Sequence, residues 1–64
     1  MTVLDFYKVI DDNSTVDIYD KDNDIYYFTG KASDIPVKYL DMIIRHISAS
    51  CNPNTNSIDY MLWV

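Results

Sequence analysis

The chain predicts a small α+β fold: an antiparallel sheet of about four strands with short helices on one face. Three observations carry that prediction. Residues 2–11 place Val3, Phe6, Tyr7 and Ile10 at helical spacing. Residues 15–29 and 57–64 alternate apolar and polar side chains in the manner of strands. Between them, Ser33-Asp34-Ile35-Pro36 reads as the start of a second helix. The predicted order is α-β-β-α-β-β in a single domain, residues 1–64.

Each element has a local reason. Thr2 is a helix cap by residue type, and Asp5, three residues on, completes the spacing of a capping box. Asp11, Asp12, Asn13 and Ser14 favour turns over helix interiors and end the first helix. In Thr15–Asp20, Val16 and Ile18 face one side while Thr15, Asp17 and Tyr19 face the other. A turn of Asp20, Lys21, Asp22, Asn23 and Asp24 leads into Ile25–Thr29, where Ile25, Tyr27 and Thr29 are expected opposite Tyr26 and Phe28. Gly30, the sole glycine, is expected at a bulge or at positive φ. A helix over Pro36–Asp41, short enough to be 3₁₀, turns Ile35, Tyr39 and Leu40 inward. Met42–Ser48 carries isoleucine on both faces and is expected to be a central strand. Cys51–Asn56 is a loop by composition, and Ser57–Val64 is the last strand.

Composition narrows the functions. A domain of this size buries only about 60% of the surface its unfolded chain exposes, so stability is thin without reinforcement. The single Cys51 excludes an internal disulfide, and His46 and Cys51 are too few soft ligands for a structural zinc site. With 48% hydrophobic residues, six Tyr, two Phe and one Trp, a packed core is expected instead. The net charge is −5 and every acid is an aspartate. Direct binding to nucleic-acid phosphates is disfavoured by that sign, whereas a basic protein surface fits it. Solubility is the plainer use of the same charge. MTVLDFYK lacks a basic segment followed by an apolar run, and no stretch approaches a bilayer span. A cytoplasmic location is expected.

Catalytic and metal motifs are weak. Asp20-x-Asp22-x-Asp24 opens like a calcium loop, but Ile25 and Lys31 stand where glycine and glutamate are needed, so a solvated turn is expected. Cys51 and His46 lack a third residue to orient the base, and neither catalysis nor a cofactor is expected. The tyrosines carry more. Asp17, Tyr19, Asp20, Asp22, Asp24 and Tyr26 gather at one hairpin as a candidate partner-binding surface, since tyrosine gives contact area at low entropic cost. Cross-strand pairing within the hairpin is the structural use of the same rings. The C-terminal strand is apolar on both faces, so it is expected either inside the sheet or paired with a second copy through Tyr60, Leu62 and Trp63.

A helix ending DDNS, the strand-turn-strand TVDIYDKDND, then GKASDIPVKYLDM and a strand ending ISAS resemble small uncharacterised proteins of phages and mobile elements in low-GC Gram-positive bacteria. The resemblance covers most of the chain and carries no functional residue across. It implies an anti-defence role similar to that of anti-CRISPR proteins, in which a small acidic protein occupies the nucleic-acid surface of a basic host protein such as a CRISPR-associated nuclease. The alternative expectation is an assembly module that homodimerises through its C-terminal strand, with its charge serving solubility.

Overall fold

Two hairpins lie side by side in this computed structural model, which describes residues 1–54 and 56–64. The elements are α1 (Val3–Tyr7), β1 (Thr15–Asp20), β2 (Ile25–Lys31), two 3₁₀ turns (Ala32–Asp34 and Val37–Tyr39), β3 (His46–Asn52) and β4 (Ser57–Trp63). They form one four-stranded sheet in the order β2-β1-β4-β3. The small α+β character stands, but the sheet is mixed rather than antiparallel. β1–β2 and β3–β4 are antiparallel hairpins, whereas the two inner strands, β1 and β4, run parallel.

The N-terminal helix is shorter than the spacing predicts, and its first turn is fully satisfied. Thr2 Oγ1 accepts from the Asp5 amide while Asp5 Oδ2 accepts from the Thr2 amide, completing the capping box. Two further amides at that end find backbone carbonyls: Val3 donates to Met42 and Leu4 to Leu40. The Ile44 amide in turn donates to the Met1 carbonyl, and Thr2 bridges Ile43. Residues 40–44 therefore strap the N-terminus instead of entering the sheet. That displaces the expected strand Met42–Ser48 to His46–Asn52, and it lies at an edge, not at the centre. Isoleucine on both faces misled because Ile43 is 61% exposed on the strap while Ile44 packs on the core.

Among the described residues the core is six side chains: Val3 and Phe6 from α1, Val16 and Ile18 from β1, Ala32 and Leu62. Phe6 meets Tyr60 edge-on at 5.0 Å between ring centroids. Tyr7, Ile10, Ile35, Tyr39 and Leu40 pack around them as their spacing predicts. The short helix expected over Pro36–Asp41 is a 3₁₀ turn at Val37–Tyr39, and a further 3₁₀ turn, Ala32–Asp34, precedes it. The β3–β4 connection is shorter than the expected loop, because Cys51 and Asn52 belong to β3. Thr55, also in that expected loop, lies outside the described residues.

A bulge in β2 changes which aromatic rings face inward. Ile18 pairs with Phe28 and Tyr19 with Tyr26, so the register steps over Tyr27. Tyr27 and Phe28 both pack toward the core, and the expected pairing of Tyr26 with Phe28 on one face does not occur. Gly30 has φ 157°, and a Cβ there would lie 3.1 Å from Phe28 Cζ. The ring lies over the glycine, closing the gap that its missing side chain leaves.

Leu62→Ala is expected to cost about 2–5 kcal/mol, because the site is sealed between α1 and the inner strands and cannot collapse freely. Val37→Ser, at a position 81% exposed, should stay within about 0.5 kcal/mol. Urea unfolding of both variants checks this, and equal effects would contradict the assignment of the core.

Candidate functional site

One face of the sheet carries the helix and 3₁₀ turns, and among the described residues no layer lies over the other. Strand register decides what lines the uncovered face. Thr15, Asp17 and Tyr19 on β1 stand beside Asp59, Met61 and Trp63 on β4, which in turn stand beside Ser50, Ser48 and His46 on β3. Tyr26 completes the row from β2. A band of rings therefore crosses all four strands. Tyr26–Tyr19 centroids are 4.7 Å apart, Tyr19–Trp63 6.4 Å and Trp63–His46 4.8 Å. Trp63 and His46 belong to this row although sequence reasoning placed neither there, since the parallel β1–β4 pairing has no local signature.

The β1–β2 turn sits at the end of that row. Asp20 organises it: its carboxylate accepts from the Asp22 and Asn23 amides, from Asn23 Nδ2 at 2.8 Å and from the Tyr27 hydroxyl at 2.8 Å. Asp24 adopts φ 53°, a left-handed conformation that Asp tolerates, and accepts the Tyr19 hydroxyl at 2.6 Å. Asp22 pairs with Arg45 at 3.1 Å, both side chains being more than half exposed. Lys21 extends over the Trp63 ring, its Nζ 4.7 Å from the centroid.

The candidate residues thus differ in role. Tyr19, Asp22, Asp24 and Tyr26 meet at one end of the uncovered face, and Tyr26 is 54% exposed. Asp20 is occupied as the turn's organiser. Asp17 lies farther along β1, where with Ser48, Ser50, Asp59 and Met61 it lines a shallow concavity of about 250 Å³. Asp17 Oδ1 and Trp63 Nε1 are shielded from solvent and have no hydrogen-bond partner. Of the C-terminal set, Trp63 faces the ring row. Tyr60 faces the helix layer against Phe6, and Leu62 is fully buried. Leu62 offers no surface to a second copy, and β4 is paired on both sides and has no free edge. Of the two placements expected for the C-terminal strand, the one inside the sheet is observed.

Other chemistry finds no constellation. Asp20, Asp22 and Asp24 point their carboxylates at Asn23 and Tyr27, at Arg45, and at Tyr19, respectively, and do not converge. No group of three or more His, Cys, Asp or Glu able to hold a metal occurs among the described residues. His46 and Cys51 stand at opposite ends of β3 and, by strand alternation, on opposite faces. No described helix is long and apolar enough to cross a membrane. No protein-family model, curated protein or solved structure matches the chain.

The turn's hydrogen bonds make it sensitive to pH from both sides. The Asn23 side chain, then the Tyr27 hydroxyl, hold the Asp20 carboxyl below its ordinary 3.8. That stabilisation is present above the ordinary value and is lost as pH falls through the lower folded one. Donation to Asp24 raises the Tyr19 hydroxyl above 10.0, and donation to Asp20 does the same for Tyr27. Their contribution is present below the ordinary value and is lost as pH rises through the higher folded one. The melting temperature should therefore be level between about pH 5 and 9 and fall on both sides. Asp20→Asn should lower that plateau and make the acid limb shallower. A melting profile parallel to wild type would remove Asp20 from its assigned role.

Proposed function

We propose that this chain is a non-enzymatic binding protein whose β1–β2 tip and adjoining ring row occupy a basic, nucleic-acid-binding surface of a host protein. On this reading it is an anti-CRISPR-like inhibitor encoded by a phage or mobile element. The reading rests on one observation: Tyr26, Tyr19 and Trp63 form a row of rings on the sheet face opposite the helix layer, and the Tyr19 hydroxyl ties that row to Asp24 in the acidic turn. Aromatic area supplies binding energy, and carboxylates supply orientation toward arginine and lysine.

The chain's own cations support the reading. Arg45 on Asp22 and Lys21 over Trp63 are the two contacts that a basic partner would make, satisfied internally. Exposed ion pairs are worth only ~0.2–1 kcal/mol, so an arginine held by a rigid partner can replace them.

Binding should be measured against purified CRISPR-associated nucleases, with and without their nucleic acid, at low and high salt. Asp22→Asn combined with Asp24→Asn should weaken binding and flatten its salt dependence, and Tyr26→Ala should weaken it about tenfold or more. Prior loading with nucleic acid should block the complex. Asp20 is left intact because its loss disturbs the turn itself. Affinity unchanged in both variants would refute the proposed surface.

A further inference from the structure

The two edges of the sheet are built differently. β2 carries the bulge and ends in Lys31, both features that discourage another strand from adding. β3 has neither of them. Its seven residues, HISASCN, pair with β4 in unbroken register and include no proline, lysine or aspartate. In a chain in which 23% of residues are charged, this edge strand has none, and His46 through Cys51 are all exposed.

The helix layer also stops short of this edge. Ile47, Ala49 and Cys51 pair with Leu62, Tyr60 and Ile58 and share their side of the sheet. Ile47 is 36% exposed, Ile58 46%, and Val9, beyond the end of α1, 76%. An apolar strip thus runs outward from the core and ends at an edge strand, paired with β4 on its inner side only.

We infer that β3 is where a second copy of this chain adds, antiparallel and two-fold symmetric, joining two four-stranded sheets into one. Charge selects this occupant. A basic partner is drawn to the acidic tip and finds no carboxylate on β3 to hold. Two copies of net charge −5 repel, and β3 is where they can touch without placing aspartates face to face. An axis perpendicular to the sheet keeps both helix layers on one side, so the two apolar strips meet as one seam. Antiparallel pairing also sends the two β1–β2 tips to opposite ends of the joined sheet, leaving both free. The seam residues Ile47, Ala49 and Cys51 lie on the other side of the sheet from the ring row, which meets β3 only at His46, and failure of the seam would leave that reading untouched.

Sedimentation velocity over rising concentration tests the inference. Wild type should pass from monomer to dimer. Ile47→Lys and Ala49→Lys, which place like charges across the seam, should raise the dissociation constant about tenfold or more, while Val37→Lys should not. Circular dichroism confirms that each variant is folded. In wild-type protein, hydrogen exchange should slow with concentration at amides of residues 46–52 and not at 25–31. A monomer at every concentration, an assembly larger than a dimer, a dimer indifferent to the β3 lysines, or β3 amides whose exchange ignores concentration would each overturn it.

Discussion

The parallel pairing of β1 with β4 is the contact on which this molecule depends, because it joins strands from opposite ends of the chain and makes a sheet of two otherwise separate hairpins. A lone two-stranded hairpin is marginal in water, and neither could bury enough apolar surface by itself. Side by side they present Val16, Ile18 and Leu62 as one patch, on which α1 sets Val3 and Phe6. The strap of residues 40–44 holds α1 there by accepting its free first-turn amides. Closing this arrangement requires long-range pairing before the reward of burial arrives, so folding should be slower than for a helical domain of equal length.

The same pairing makes the uncovered face. Tyr19 and Trp63 are neighbours only because β1 and β4 align in parallel register, and Tyr26 and His46 join from the outer strands. The rings in this band are tilted against one another, Lys21 extends over Trp63 and Arg45 pairs with Asp22 beside it. The tip divides its work: Asp20 organises the turn through four hydrogen bonds, while Asp22 pairs with Arg45 and Asp24 accepts the Tyr19 hydroxyl.

Local signals were readable in the sequence wherever the physics was local. The capping box of Thr2 and Asp5, the helical stripe Val3–Phe6–Tyr7–Ile10, the hairpin turn at Lys21–Asp24 and the positive φ of Gly30 each depend on residues a few positions apart. Strand assignment failed at Met42–Arg45, where apolar residues that read as a central strand are used to tie down the N-terminus. The face of Phe28 was misread because one bulge residue, Tyr27, shifts the alternation. Arg45 on Asp22 and Trp63 beside Tyr19 lie beyond any spacing rule, since both join distant segments.

By itself, then, the sequence determined composition, caps, turns and the existence of two hairpins, because nearest-neighbour geometry and side-chain chemistry set these. Tertiary structure alone decided that the hairpins meet through parallel inner strands, which residues share a face, and which edge is left open. Those outcomes follow from burying one apolar patch as completely as a short chain allows, and that is a property of the whole molecule.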